Sequence, residues 1–355
     1  MGRYTAVHAN PQGVGDARRK WLPTHLDHPI RLIRQPFPAT ALQIIQDEGL
    51  EGKLVGKVIV LTGATSGIGL ETARALSTTG VTLFLTARDL AKASESLAGI
   101  LEPGRVSLVP MDNASFSSVR AAAQQILAHS HNKINILIAN AGIMGVPSLT
   151  LTEDGHESHF AVNHLSHFLL FSLLKDALLA ASTPAFNSRA VIVASSAHRA
   201  GPFPADHDYS FSNTPYKHGK AYANSKLANI YMANYLDRHY GGRGLHATSV
   251  HPGAILTNIT RYSDPSVIDA ILKMPHLVPI FKSAEQGGAT TVVAAVGKEW
   301  EGRGGKYLED CEEAGRGEDD GNVFMLGYTT WTYDEGEEER LWKDSAHFVG
   351  VEAHV

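Results

Sequence analysis

The stretch from Lys57 to Gly69 constrains this chain more than any other. It reads Lys-Val-Ile-Val-Leu-Thr-Gly-Ala-Thr-Ser-Gly-Ile-Gly. Val58, Ile59, Val60 and Leu61 form an apolar run without polar alternation. Such a run suits a strand buried on both faces, as in the middle of a parallel sheet. A turn carrying Gly63, Gly67 and Gly69 follows, then Leu70 to Leu76 with helix-forming composition, stopped by Gly80. Strand, glycine turn and helix make a phosphate-binding device. Glycines admit a pyrophosphate close to the backbone, and the helix start offers free N–H groups and the positive end of its dipole.

The spacing Thr-Gly-x-x-x-Gly-x-Gly differs from the dinucleotide fingerprint Gly-x-Gly-x-x-Gly. It resembles the first motif of the short-chain dehydrogenases/reductases. That resemblance implies that Gly63, Thr65, Ser66, Gly67, Ile68 and Gly69 border a nicotinamide dinucleotide. Taken alone, the turn is also compatible with a tight strand-to-helix connection that binds nothing.

A chain of 355 residues can hold one large α/β domain with extensions or two smaller domains. A net charge of −5 gives no reason to expect a nucleic-acid partner. One cysteine, Cys311, excludes an intrachain disulfide and fits a reducing compartment. No apolar run approaches the roughly 20 residues of a membrane helix, and the N-terminus lacks the apolar core of a signal peptide. The cytoplasm is therefore the expected location.

Residues 1–52 precede the first strand and are expected to form an arm. Its prolines, Pro23, Pro29, Pro36 and Pro38, break any long helix, and Ala39 to Gln46 suits a short one. Val81 to Thr86 reads as the second strand. It ends at Ala87-Arg88-Asp89, where an NAD-binding unit carries an acidic residue for the ribose 2′-hydroxyl. Ala87 leaves that place empty, and Arg88 can pair with a 2′-phosphate, so NADP(H) is the expected cofactor. The resembling NADP-linked enzymes often carry a basic residue in the glycine turn too; Ser66 stands there instead.

Val106 to Val109 reads as the third strand, followed by Asp112 and Asn113. The resemblance places Asp112 beside the adenine; an N-cap is its structural alternative. Ile134 to Ala139 reads as the fourth strand and runs into Asn140-Ala141-Gly142. This resembles the Asn-Asn-Ala-Gly motif, with Ala139 in place of the first asparagine. Pro252-Gly253-x-x-x-Thr257, after a sixth strand over Leu245 to Val250, resembles the segment that borders the nicotinamide carboxamide.

Four histidines, His156, His159, His164 and His167, crowd one segment. A metal site is not expected: His156-Glu157 begins like a zinc-protease pattern, but that pattern needs histidines four apart on one helix face, His156 and His159 are three apart, and no cysteine cluster accompanies them. The segment resembles Val-Asn-His-Leu-x-His-Phe of the retinol-dehydrogenase-like branch, in which Asn163 is catalytic and the histidines are structural. A fifth strand, Ala190 to Ala194, leads to Ser195-Ser196. Downstream, Tyr222-x-x-x-Lys226 puts two side chains one helical turn apart on one face. The resemblance makes Asn163, Ser196, Tyr222 and Lys226 the catalytic set, with Tyr222 and Lys226 also touching the cofactor. Ser195 is the rival for the serine role; the resemblance favours the second serine. Lys226 is expected to lower the Tyr222 pKa from its reference of about 10.

The resemblance covers about residue 54 to residue 345 and implies one Rossmann-type doubly wound parallel sheet of about seven strands, helices on both faces. The boundaries are an arm at 1–52, a catalytic domain at 53–345 and a tail at 346–355. Glu309 to Arg340 is acidic, glycine-rich in part, and expected to be a solvated surface segment. Substrate walls are expected from Ala197 to Lys220, with Phe203, Tyr209, Phe211 and Tyr216, and from Ile259 to Phe281, with Val267, Ile268, Ile271, Leu272, Met274 and Leu277. Both favour a bulky hydrophobic carbonyl or alcohol, of polyketide, terpenoid, steroid or retinoid type. The implied reaction is hydride transfer between nicotinamide and a carbonyl or alcohol carbon. The alternatives are a redox-inert NADP(H)-binding scaffold or sensor, and a tailoring enzyme that isomerises or cyclises. A homo-oligomer is left open.

Overall fold

The apolar runs become strands of one sheet. In this computed structural model, which describes residues 39–274 and 280–353, β1 (Val58–Thr62) lies between β2 (Thr82–Ala87) and β4 (Ile136–Ala139). Both neighbours run parallel to it, and Leu61 is level with Leu85 on one side and Ile138 on the other. Three more parallel strands, β5 (Ser188–Val193), β6 (Leu245–His251) and β7 (Lys306–Glu309), continue beyond β4, while β3 (Val106–Pro110) pairs with β2. The order is β3-β2-β1-β4-β5-β6-β7-β8. The eighth strand, β8 (Glu312–Glu313), is a two-residue antiparallel edge. It is the strand beyond the expected seven.

Helices cover both faces, as a parallel sheet requires. On one face lie α1 (Ala41–Asp47), α2 (Gly67–Ser77) and α9 (Ala284–Val296). On the other lie α4 (Phe116–His129), α6 (Ser166–Ala181), α7 (His218–Tyr240) and α10 (Glu335–Val349). Shorter helices are α3 (Leu90–Ser96), α5 (Ser158–Phe160) and α8 (Pro265–Leu272). The strand order reverses between β1 and β4, so the connections leaving their carboxyl ends part to opposite faces of the sheet. That opens a crevice at the carboxyl edge, the usual ligand position of such sheets.

Residues 1–38 of the expected arm lie outside the described residues. Its last part is α1, capped by Thr40, whose hydroxyl accepts from the Gln43 N–H at 3.2 Å. Ile44 and Ile45 are buried, and the helix packs on α2 and α9. This helix is therefore built into the domain.

Helix α5, a π-helical turn (Ala161–Leu165) and α6 form one continuous helical run of 24 residues, long and apolar enough by length and composition to cross a membrane. Polar residues within it, among them Asn163, His164, His167 and Lys175-Asp176, hide that length in the sequence. Phe168, Leu169, Leu170, Phe171 and Leu174 are buried against the rest of the domain, which is how a core helix looks.

The region expected to be a solvated tail is only partly so. Most of its acidic side chains face outward, but Glu309, Thr329, Thr332 and Glu338 are buried, and α10 is anchored by Trp342. That ring stacks on Tyr235 of α7 at 4.3 Å and meets Phe168 of α6 edge-on at 4.6 Å. The boundary expected at 346 falls inside α10, where Ala346 and Val349 are buried.

Candidate active site

A cleft of about 530 Å³ opens at the carboxyl edge of β1, β2 and β4. Gly63, Thr65, Ser66, Ile68, Gly69, Arg88, Asp112, Asn113, Asn140, Ala141, Gly142 and Thr257 all line it. Gly67, Pro252 and Gly253 are not among the lining residues; a Cβ on Gly67 would meet Thr257 at 2.9 Å, and one on Gly253 would meet Lys282 at 2.7 Å. The cleft also takes in Lys92 and Arg261, which motif reading misses. Lys92 lies four residues after Arg88, and that spacing was the available signal.

The glycines hold the turn together by closeness. A Cβ on Gly69 would lie 2.2 Å from the Gly63 carbonyl oxygen, and one on Gly63 would lie 2.8 Å from Ala141 Cα. Thr62 ties β1 to β4: its hydroxyl accepts from the N–H groups of Asn140 and Ala141, both at 2.9 Å. Asn140 Nδ2 returns a bond to the Thr62 carbonyl at 2.9 Å. Ser66 caps α2 by position, yet its side chain makes no capping bond. The first N–H groups of α2 thus keep no side-chain partner from their cap, an arrangement open to an anion.

Deeper in, past Gly142, sit the catalytic candidates. A Cβ on Gly142 would be 3.2 Å from Asn163 Oδ1 and 3.6 Å from Lys226 Nζ. Tyr222 and Lys226 share one face of α7, the ammonium 5.8 Å from the phenol ring centre. Lys226 is buried and donates to the Val193 carbonyl at the end of β5, at 2.9 Å. Burial alone pulls its pKa down to about 8. Burial also pushes the Tyr222 phenol up to about 12, against a smaller downward pull from a hydrogen bond with Ser195. The expected lowering by Lys226 is not found: desolvation of the phenolate dominates, and Ser195 supplies the opposing pull.

The two serines after β5 face different ways. Ser195, in extended backbone at the start of a short 3₁₀ turn, turns its hydroxyl to Tyr222 and accepts from the Ala197 N–H at 3.1 Å. Ser196 donates its hydroxyl to the Val323 carbonyl at 2.7 Å and its N–H to His251 Nδ1 at 3.2 Å. The Ser196 hydroxyl is thus taken up by a backbone carbonyl, while Ser195 is the serine that bears on the Tyr222 phenol.

Asn163 sits in the π-helical turn, a distortion often found at functional sites. Its side chain is engaged: Oδ1 accepts from Ile143 N–H at 2.8 Å, and Nδ2 donates to Ile143 O at 3.0 Å and Ser225 Oγ at 2.9 Å. His167 joins its carbonyl, at 2.9 Å, to the Thr62 hydroxyl, at 2.8 Å. Burial holds this imidazole neutral, at about 4. The other histidines are packed too: His164 bonds Ser345 at 2.8 Å, and His159 bonds Glu157 at 2.7 Å.

Two expected substrate-wall residues are core instead. Phe203 and Tyr209 are buried edge-on to each other at 5.5 Å, and the Tyr209 hydroxyl donates to Asp344 at 2.9 Å. Tyr216 bonds the Val146 carbonyl at 3.0 Å. In the other segment, Leu272 and Met274 are exposed, and Leu277 lies outside the described residues.

Comparison with known proteins agrees with this geometry. A family model described as short chain dehydrogenase matches residues 57–267. The chain is 41% identical over 350 residues to the short-chain dehydrogenase/reductase prx1 of Penicillium roqueforti, covering 99% of this chain and 96% of that one. It is 35% identical over 306 residues to human retinol dehydrogenase 12, covering 84% and 88% respectively. Among solved structures, a short-chain dehydrogenase from Burkholderia cenocepacia in complex with NADP superposes with a TM-score of 0.56 at 24% identity, over 72% of this chain and 97% of that one. On sequence and fold together, the chain belongs to the short-chain dehydrogenase/reductase family of oxidoreductases, on its retinol-dehydrogenase-like branch.

Proposed function

We infer that this chain is an NADP(H)-dependent oxidoreductase that interconverts a ketone or aldehyde and an alcohol on a bulky hydrophobic substrate. The observation that carries the reading is the grouping of Ser195, Tyr222 and Lys226 behind a cleft built for a dinucleotide. The residues present fit such a cofactor. Glycines leave no room for side chains where the backbone must approach a pyrophosphate, the α2 start is open to an anion, and Arg88 at the far wall has no ion-pair partner among the described residues. The NADP complex of the Burkholderia relative supports the same choice.

When bound, the nicotinamide supplies or accepts the hydride. The protein's own part is proton handling and charge stabilisation. Tyr222 holds its proton through neutral pH, because burial raises the phenol, and so stands ready to give it to an oxygen that gains charge. The Ser195 hydroxyl stabilises that oxygen as charge develops. Lys226, with the lowered pKa of a buried amine, puts positive charge behind the phenol. For the substrate class, the support is the set of exposed apolar side chains, Leu256, Tyr262, Leu272 and Met274, that borders or follows the cleft-lining run from Thr257 to Arg261.

The decisive experiment is single-turnover hydride transfer by Tyr222→Phe with bound NADPH. The ring and its packing remain, so cofactor affinity should stay. Turnover should fall by roughly 10²- to 10⁴-fold. An unchanged rate would remove Tyr222 as the acid and favour a binding scaffold or a non-redox reaction.

A further inference from the structure

A buried charge can be spent wholly on tying a loop, and that of Arg199 is. Its N–H groups donate to the carbonyls of Glu318, Asn322, Leu326 and Gly327 at 2.7 to 3.2 Å. The strap so formed is held again where Ser196 meets Val323. Glu157 is a different case. It caps α5: Oε1 accepts from the His159 N–H at 3.0 Å and Oε2 from the Phe160 N–H at 2.8 Å. The cap needs no more than that, yet Oε1 also meets His159 Nδ1 at 2.7 Å, and both side chains are wholly buried.

On its other side the His159 ring is held as well, because Nε2 accepts from the Val146 N–H at 3.4 Å. Together the two contacts fix the tautomer: Nδ1 carries the proton and donates to the carboxylate, and Nε2 keeps its lone pair. The ring so gripped meets the Tyr222 ring edge-on, the centroids 6.3 Å apart. Val146 belongs to the loop that begins at Gly142, and Asn163 holds Ile143 of that loop by both backbone groups. Tyr216 donates to the Val146 carbonyl at 3.0 Å, its oxygen 3.3 Å from His159 Nδ1. His159 therefore stands between the phenol and the loop tied to Asn163. An apolar ring in its place would touch Tyr222 too, without the cost of desolvating an imidazole. What the imidazole adds is a ring plane fixed at two nitrogens.

We propose that His159, with Glu157 behind it, is a positioning residue for the reaction, holding the Tyr222 phenol in line for proton transfer beside Ser195. This rests on the carbonyl–alcohol reading of the site and adds to it the device that aims the acid. His159 itself exchanges no proton with the substrate.

The test follows reduction of benzaldehyde by NADPH in the wild type and in His159→Phe, which keeps an aromatic ring against Tyr222 and removes both nitrogen contacts. kcat should fall about ten- to hundredfold, the scale of misplacing a catalytic group, while KM and NADPH affinity stay unchanged. The solvent deuterium isotope effect on kcat should rise, because proton transfer from a misaimed phenol becomes the slow step. Glu157→Gln, which keeps an acceptor for the Nδ1 proton, should change both in the same direction and by less. Variants that melt lower but keep the wild-type kcat and isotope effect show packing alone and overturn the proposal, as do two variants that both fail to fold. If the wild-type chain reduces neither benzaldehyde nor any other aldehyde or ketone of a panel, the redox reading fails, and the positioning is judged from the crystal structure of whichever variant folds. A Tyr222 hydroxyl displaced from Ser195 then supports it, and an unmoved one overturns it.

Discussion

At the scale of single residues, the direction of a hydroxyl separates two neighbours that look alike in sequence. Ser196 is occupied by Val323, while Ser195 reaches Tyr222. Ser195→Ala should cost roughly 10² to 10³ in kcat, the usual loss of a donor that stabilises developing charge. Ser196→Ala should cost less than about tenfold, because it removes only a strap bond. Steady-state rates for the two variants side by side check this, and equal losses would return the role to both. Arg88 carries a second expectation. Arg88→Ala should weaken NADPH by about ten- to hundredfold, the loss of one charge-assisted contact of about 1.5–3 kcal/mol, and leave NADH affinity alone. Fluorescence titration with each cofactor reads it, and a variant that loses both equally would place the arginine's role elsewhere.

At the scale of elements, what could be read from the chain and what could not divide along a physical line. The β1–turn–α2 unit was legible because its glycines answer a local demand: nothing larger fits beside the Gly63 carbonyl. Tyr222 and Lys226 were legible because helical periodicity alone puts them on one face. The role of α10 was not, because its acidic surface hides an anchor whose partners, Phe168 and Tyr235, are more than a hundred residues away in the chain. Trp342→Ala should lower stability by about 3–5 kcal/mol, the range for emptying a large aromatic from a core. Urea unfolding measures it; a loss under 1 kcal/mol would mean that α10 is only draped on the domain. The aromatic run after β5 misled for the same reason: Phe203 and Tyr209 are close in sequence to the serines that follow β5 but pack into the core.

For the molecule as a whole, the parallel sheet explains why motifs so far apart converge. Each parallel strand ends at the same edge, so Gly63, Asn140 and Thr257 come from three connections and meet around one crevice, and Ser195 follows β5 at that edge. The turn and the Tyr–Lys pair therefore pointed to the fold. What the chain did not reveal was that its acidic, glycine-rich stretch closes over Arg199, since a glycine serves a solvated loop and a tight wrap equally well. That wrap also imposes an order on manufacture. Arg199 and its acceptors are separated by 119 to 128 residues. At the pace of a ribosome, roughly 5–20 residues per second, the arginine waits on the order of ten seconds for its partners to be made. Throughout that interval the nascent chain is still adding β6, β7 and β8 and carries an unclothed guanidinium just after β5, so the loop that wraps it is among the last parts of the domain to fall into place.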